Sequence, residues 1–455
     1  MEKKIIIPCF LLIIMLQLSA CSKLIEIDSP KNQLSTDKVF ADTNGAKSAL
    51  FNIYLVLENQ QYNASNRYLS AYADESIASY SAEPWNQSRL PATEATVRSN
   101  WTSLYNCIYQ CNMVMEQLDI ASGFPEAFKS KINAEARFLR AFCYFYLVNL
   151  YGSVPLITTT NVNVNRHAPQ ADQTKVYEQV ISDLNVARLN LSPNYQGAGK
   201  IRANKACATA LLARVYLYQG NWDLAERLAD ELISSGTYTP LEAPANVFKA
   251  GSRESILQFA TANGFITEAS NVVPTSATVA PSFFLRDQFF QSFEAADLRK
   301  SSWTGTNTVT NAGITTVYRY PAKYKNRVAN TTSPENLVVL RIAEQYLIRA
   351  EARAQQGKLT GANSAVADLN IIRSRAGLGN ISPSGLSAVL AAIYAERSHE
   401  MFFENSDRFM DLKRSGNLQT IMAAAKPSWL PTCAVLPIPQ NDINTNSKLI
   451  QNEGY

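Results

Sequence analysis

Two glutamates four residues apart, Glu400 and Glu404, are the acidic pair in this sequence best placed to do chemistry. On a helix this spacing puts both side chains on one face, and paired carboxylates carry out glycoside hydrolysis. Adjacent acids repel, so basic partners must neutralise them, and Arg397, Arg408 and Arg414 lie on the same stretch. Structural ion-pair networks often imitate catalytic sites. A structural network is therefore the favoured interpretation, and a hydrolase is the alternative.

A second acidic pattern lies near the C-terminus and partly matches a calcium-binding loop. Asp442, Asn444, Asn446 and Glu453 fall at ligand positions of that loop. Ser447, however, stands where the loop needs glycine for its sharp turn. A polar segment that covers the helices is therefore the favoured interpretation over a calcium site.

Histidine and cysteine offer little for a metal centre. His167 and His399 are the two histidines of the chain, and Cys107 and Cys111 lie one helical turn apart with no CxxC pair. A closed zinc site needs four such ligands. We expect these cysteines to be buried thiols, and the sequence predicts neither a metal ion nor a cofactor.

Composition limits the class of protein. The chain has 455 residues, of which 46% are hydrophobic and 18% are charged, with a formal net charge of +4. This is a globular composition. A charge this small creates no strong basic field for a phosphate backbone, so nucleic acid is not a predicted partner.

The N-terminus carries an export signal. Residues 1–20 combine Lys3 and Lys4 with an apolar stretch and small final residues. The run Leu18-Ser-Ala-Cys21 has the form of a lipobox, resembling the signal of bacterial lipoproteins. Lipidation of Cys21 would anchor a soluble body to a membrane surface. The alternative is a plain secretory signal.

Helical periodicity dominates most of the chain. The apolar positions over 132–150 recur at helical spacing, and a helical hairpin over 205–234 turns at Gly220. This hairpin resembles a tetratricopeptide unit. A second copy is predicted over 350–362, with Gly357 at its turn and Ala362 at the helix contact. Further hairpins are expected near 40–118 and 130–190.

Long polar stretches interrupt the helices over 75–96 and 263–336, and loops of this length often carry function. An aromatic ring packs against the C–H face of a sugar, and polar side chains bond its hydroxyl groups. The alternative for each ring is burial as a loop anchor, the role expected of the core residues Trp101 and Trp222. The candidate ligand-binding residues are Trp85, Asn86, Trp303, Tyr318 and Tyr320.

Several blocks in order along the chain resemble the SusD/RagB family of outer-membrane nutrient-binding lipoproteins. They are the lipobox, ADE at 73–75, WTSLYNCIYQCN at 101–112, AEARFLRAFCYF at 134–145, LYGSVP at 150–155, RIAEQYLIRAE at 341–351, ER at 396–397, RFMDL at 408–412, LPIP at 436–439 and LIQNEGY at 449–455. Asn405 departs from the pattern, because the family often has glycine there.

The resemblance implies a mainly α protein, a tetratricopeptide-like α-α superhelix with long ligand-binding loops and little β structure. It implies a glycan-binding lipoprotein, not an enzyme, that faces the exterior of the outer membrane beside a SusC-like TonB-dependent transporter. A peptide-binding uptake lipoprotein of the same fold is an alternative. The expected organisation is a signal peptide over 1–20 and two regions, 21–235 and 236–455, packed as one body.

Overall fold

The computed structural model describes residues 35–59, 62–79, 82–260 and 263–455. Cys21 and the predicted signal lie outside the described residues. Helices dominate the described chain, and its strands form small two-stranded sheets. The prediction of a mainly α fold is therefore confirmed. Within the described ranges, no helix has both the length and the apolar content needed to cross a membrane.

The described ranges contain ten α-helices before residue 235. They are α1 (Thr36–Val39), α2 (Thr43–Asn59), α3 (Tyr62–Tyr72), α4 (Glu83–Asn86), α5 (Ala95–Ile120), α6 (Glu126–Tyr151), α7 (Val162–Asn165), α8 (Gln173–Asn190), α9 (Lys205–Tyr218) and α10 (Trp222–Ser234).

Nine more helices follow. They are α11 (Thr267–Val272), α12 (Asp287–Ser292), α13 (Leu298–Ser302), α14 (Ile342–Gln355), α15 (Ala365–Arg375), α16 (Leu386–Met401), α17 (Asp407–Arg414), α18 (Leu418–Ala425) and α19 (Gln440–Thr445).

The strands pair in four antiparallel ribbons. In chain order they are β1 (Ser76–Ala78), β2 (Val154–Pro155), β3 (Gln170–Ala171), β4 (Ser255–Phe259), β5 (Phe283–Leu285), β6 (Thr304–Asn311), β7 (Ile314–Pro321) and β8 (Leu337–Arg341). The pairs are β1 with β5, β2 with β3, β4 with β8, and β6 with β7. The β4–β8 ribbon is buried along its length, whereas β6–β7 is largely exposed.

Helix α6 forms the centre of the core. Its residues from Phe138 to Tyr151 are all buried, and it packs against α5 and α8. The helix ends at Gly152, whose φ of 79° favours glycine. The helix predicted over 132–150 is thereby confirmed.

The α9–α10 hairpin also matches its prediction. Gly220 has a φ of 67°, and the Asn221 side chain accepts a hydrogen bond from the Leu224 amide at 3.3 Å. Ala225 is fully buried where the helices touch. Trp222 is only partly buried, packed against the edge of the core and not within it, whereas Trp101 is buried as predicted.

The second hairpin differs from the prediction. Gly357 has the expected positive φ, but Ala362 is exposed in a connecting loop and is not the helix contact. Helix α15 begins only at Ala365, after Ser364 accepts a hydrogen bond from the Ala367 amide at 3.2 Å. The predicted role of Ala362 is therefore wrong, because the loop is longer than in the first hairpin.

Glu400 and Glu404 lie in a buried ion-pair network, as the sequence favoured. Glu400 pairs with Arg299, Arg341 and Arg375, and Glu404 pairs with Arg341 and Lys323. The two carboxylates are 0% and 4% exposed. Burial alone would raise the pKa of Glu400, but the guanidinium groups, led by those of Arg375 and Arg341, hold it well below its usual range.

The arginines that the sequence suggested as partners pair elsewhere. Arg397 contacts Glu344, Asp407 and Asp411, Arg408 contacts Asp74, and Arg414 contacts Glu351 and Asp411. The expected partners were wrong because helical proximity does not decide where a long side chain points.

The early and late helices also meet in buried contacts. Arg214 on α9 donates to Glu344 on α14 at 2.6 Å, and α10 packs along α14. The division into regions 21–235 and 236–455 stays a prediction.

The turn at Gly220 supplies a test of the helical hairpin. We expect Gly220→Val to lower the free energy of unfolding by about 1–2 kcal/mol or more, because a residue with a Cβ is strained in the left-handed region. Gly123→Val is the matched control, since Gly123 has no positive φ and open space around its Cβ position. Thermal and denaturant unfolding measure both variants. Equal stability of the two would contradict the turn geometry.

Candidate functional site

The candidate ligand-binding aromatics divide into two buried and two partly exposed rings. Trp85 is 2% exposed, and its ring packs on Tyr68 and Tyr72, with centroids 5.2 and 6.0 Å away. Trp303 is 1% exposed, and its indole N–H donates to the Pro244 carbonyl at 2.7 Å. Neither ring has a face open to a ligand in this structure. In this structure both rings are loop anchors, the alternative that the sequence left open, and their contact with a ligand stays a prediction.

Asn86 fixes the short helix α4 onto strand β1. Its Oδ1 accepts from the Ala78 amide at 2.9 Å, and its Nδ2 donates to the Ala78 carbonyl at 2.7 Å. The side-chain amide thus forms hydrogen bonds with the backbone N–H and C=O groups of Ala78, which would otherwise lack a partner in the β-ladder. In this structure Asn86 shapes the loop and does not present its amide to a ligand.

Lys426 also fixes the loop that contains Trp85, through hydrogen bonds from its side-chain amine. Its buried Nζ donates to the carbonyls of Ala71 and Tyr72 at 2.6 and 2.7 Å and to Ser88 Oγ at 2.8 Å. A buried amine with several acceptors is satisfied in place. The loop is consequently fixed against α18.

Tyr318 and Tyr320 remain as the partly exposed predicted rings. They alternate with Arg319 on β7, so both tyrosines lie on one side of the β6–β7 hairpin. The Tyr318 ring meets Phe284 on β5 edge to face, with centroids 5.1 Å apart. Phe284 lies opposite Ile77 of β1 in register. We call the surface of Ile77, Phe284, Tyr318 and Tyr320 the aromatic face.

Two residues on β6 determine how the aromatic face is built. A Cβ on Gly305 would lie 2.3 Å from Tyr320 Cζ, so only glycine lets this ring lie across the partner strand. Asn307, opposite Tyr318, donates to the carbonyls of Ser276 and Val279 at 2.7 and 2.8 Å. The hairpin is thereby fixed to the loop that leads into β5.

Cationic groups lie on the other side of the hairpin. The Arg319 guanidinium carbon is 4.7 Å from the Phe290 ring centroid, and Arg319 pairs with Asp287 at 2.9 Å. Lys300 Nζ lies 4.6 Å from the same centroid. The hairpin therefore carries ring faces on one side and charged hydrogen-bonding groups on the other, the two kinds of group that a sugar needs.

Sequence reasoning missed Phe284, Phe290 and Lys300. The run Phe283-Phe284-Leu285 has the pattern of a short apolar strand. Its partner strand, β1, lies about 200 residues earlier in the sequence, so the pairing is not visible locally. Phe283 and Leu285 are buried and Phe284 is partly exposed, which is the alternation of a strand with one buried face. That alternation was the available signal.

The other chemistry-bearing residues have structural partners. Asp442 accepts from the Trp101 indole at 3.2 Å, Asn446 donates to the Ala168 carbonyl at 2.9 Å, and the segment from Gln440 is a helix and not a calcium-binding loop. Cys107 and Cys111 are buried thiols as predicted, and burial raises the pKa of Cys111. Across the described ranges, no group of three or more His, Cys, Asp or Glu side chains is placed to hold a metal ion.

Two sequence families match this chain. Residues 27–217 match a SusD-like family described as starch-binding and associating with the outer membrane, and residues 291–455 match the SusD family. SusD-like protein P25 from Formosa agariphila is 25% identical over 96% of this chain and 97% of its own length. Starch-binding protein SusD from Bacteroides thetaiotaomicron is 24% identical over 74% of this chain and 75% of its own length.

Solved structures share the fold. A laminarin-binding SusD-like protein superposes with a TM-score of 0.75 at 25% identity, covering 90% of this chain and 99% of its own. Surface glycan-binding protein A from Bacteroides thetaiotaomicron, solved in complex with laminarihexaose, superposes with a TM-score of 0.74 at 21% identity and the same coverage. A SusD superfamily protein from Bacteroides vulgatus has a TM-score of 0.79 at 20% identity, over 91% of this chain and 100% of its own.

Gly305 supplies a test of the aromatic face. We expect Gly305→Ala to displace the Tyr320 ring, because the new methyl group would overlap it. Changed aromatic chemical shifts of Tyr320 in NMR spectra, or its altered position in a crystal structure, would report the displacement. Gly379→Ala is the matched control, since its Cβ position meets no atom within 4 Å. An unmoved Tyr320 ring in Gly305→Ala would contradict the geometry.

Proposed function

Because this chain belongs to the SusD/RagB family, we propose that it is a glycan-binding lipoprotein of the bacterial cell surface, anchored in the outer membrane through Cys21. In this proposal it captures oligosaccharide or polysaccharide and delivers it to a SusC-like TonB-dependent transporter. The observation that carries the ligand assignment is the aromatic face, with Tyr318 and Tyr320 partly exposed beside Arg319.

The chemistry of the aromatic face favours sugars. A pyranose ring presents apolar C–H groups on one side, which pack on Tyr318 or Tyr320. On the other side of the hairpin, the Arg319 guanidinium and the Asp287 carboxylate would supply a hydrogen-bond donor and acceptors for the hydroxyl groups of a glycan long enough to reach them. The laminarin-binding and laminarihexaose-bound neighbours support the same ligand class.

The proposal is binding without catalysis. A glycosidase needs one carboxyl group as acid and a second as nucleophile or base, both in contact with the substrate. Glu400 and Glu404 are buried and paired with Arg341, and so lie out of reach of a glycan in this structure. This arrangement supports a binding protein over the hydrolase alternative.

The two tyrosines provide the direct test of glycan binding. We expect Tyr318→Ala or Tyr320→Ala to weaken binding of the cognate hexasaccharide about ten- to a hundredfold, because each removes about 1–3 kcal/mol of ring contact. Calorimetric titration of the full-length protein in detergent, with laminarihexaose and maltohexaose, measures the change. Thermal melts should show little loss of stability, because these rings are partly exposed.

The control is Tyr216→Ala on α9, which removes a partly buried tyrosine away from the hairpin and should leave glycan affinity unchanged. Unchanged affinity in both hairpin variants would place the ligand elsewhere. New reducing ends in the titrated glycan would instead support a hydrolase, and binding of peptides without glycan would support a peptide-uptake lipoprotein.

Cys21 provides the test of attachment. We expect Cys21→Ala to release the folded protein from the membrane fraction, because the attached acyl chains supply the membrane affinity. Ser22→Ala, which leaves Cys21 in place, is the neighbouring control. Immunoblotting of soluble and membrane fractions measures the partition. Retention of a processed Cys21→Ala protein in the membrane fraction would contradict the lipid anchor.

A further inference from the structure

A cleft of about 520 Å³ shares no residue with the aromatic face. It opens between α5, the segment after β2, helix α7 and the C-terminal segment around α19. Its volume falls within the roughly 300–1,000 Å³ typical of small-ligand sites.

The floor of this cleft is aromatic and rigidly held. The Trp101 and Tyr105 rings pack together with centroids 4.8 Å apart and planes at 51°. Tyr105 donates its hydroxyl hydrogen to the Pro155 carbonyl at 2.8 Å, and the Trp101 indole donates to Asp442 at 3.2 Å. Trp101 is buried, whereas Tyr105 is partly exposed and turns part of its ring to the cleft.

The mouth of the cleft carries polar groups of both charges. Arg166, Thr102 and Asn106 are exposed there, and Asp442 is partly exposed. One Asp442 oxygen takes the indole N–H, and a carboxylate has about four acceptor positions in all, so acceptor capacity remains for a ligand. Arg166, which lines the same cleft, adds guanidinium donors.

The walls are fixed before any ligand arrives. Asn165 donates to the Thr159 carbonyl at 2.7 Å, and Asn446 donates to the Ala168 carbonyl at 2.9 Å. These bonds tie the α7 loop to itself and to the C-terminal segment. A preformed site loses less conformational entropy when a ligand binds.

We propose that this cleft is a second carbohydrate-binding site, which takes a neutral pyranose unit of a glycan against Tyr105. The Tyr105 ring packs against the C–H face of the sugar, while the Asp442 carboxylate and the Arg166 guanidinium bond its hydroxyl groups. A small anion would meet the charge of Asp442, which disfavours it. The inference rests on the proposed function, since both sites take the same class of ligand.

The experiment is calorimetric titration of the full-length protein in detergent with laminarihexaose, maltohexaose, mannohexaose and xylohexaose. For whichever of these hexasaccharides binds the wild type, we expect the titration to show two binding events. Asn106→Trp should remove one of these binding events, because a bulky ring would replace the small exposed side chain at the mouth and fill the cleft. Ile120→Trp, on the exposed end of the same helix, is the matched control and should keep both.

Asp442→Asn tests the role of the carboxylate in ligand binding, whereas Asn106→Trp tests only the shape of the cleft. Asparagine keeps an acceptor for the Trp101 indole but loses the carboxylate charge, so we expect the second site to weaken about tenfold while the fold persists. Thermal melts of all variants confirm folding. Tyr318→Ala should affect the other binding event alone.

The outcomes separate the two proposals. If Asn106→Trp and Asp442→Asn bind the hexasaccharide as the wild type does, while Tyr318→Ala weakens binding, the second site is overturned and the proposed function stands. If the wild type binds none of the four hexasaccharides, both proposals fail. Loss of one event in Asn106→Trp and of the other in Tyr318→Ala supports both sites.

Discussion

The buried network around Arg341 is the interaction on which the arrangement of the C-terminal half depends. This side chain is 1% exposed and pairs at once with Glu254, Glu400 and Glu404. Arg341 is the last residue of β8, Glu254 immediately precedes β4, and Glu400 lies near the end of α16. One guanidinium therefore holds a ribbon and a helix together, and removing a single partner would leave an uncompensated charge in the core, a change that costs about 3–5 kcal/mol.

The same network positions the β6–β7 hairpin. Arg299 on α13 pairs with Glu400 at 3.0 Å, and α13 leads directly into Trp303 and then β6. The Trp303 ring lies 4.5 Å from Lys323 Nζ, just beyond the end of β7, and 5.3 Å from the Arg375 guanidinium carbon. Both ends of the hairpin are thus fixed to buried charges, which explains why Trp303 is a core residue. Burying these charges has its own desolvation cost, so the net contribution of the cluster to stability is smaller than the cost of removing one partner.

Periodicity and turn residues were sufficient to predict the helices but not the tertiary contacts. The predicted helix over 132–150 and the turn at Gly220 are confirmed because local spacing and positive φ decide them. The partners of Glu400 were missed because Arg299 and Arg341 come from 101 and 59 residues away. Polar surroundings did not distinguish buried Trp85 and Trp303 from partly exposed Tyr318 and Tyr320. In irregular loops the direction of a side chain depends on distant packing, whereas on β7 the alternation of residues reveals it.

The β6–β7 hairpin is anchored at its two ends and at Asn307, whereas its tip is exposed. Along its length most side chains are exposed or partly exposed, and near its tip Thr310 and Thr315 pair across the strands at 2.9 Å without contributing to the core. Substitutions of the exposed residues near the tip are therefore expected to have little effect on folding. In evolutionary terms the exposed tip is an exchangeable part, because its residues are able to change while the helical scaffold is inherited intact.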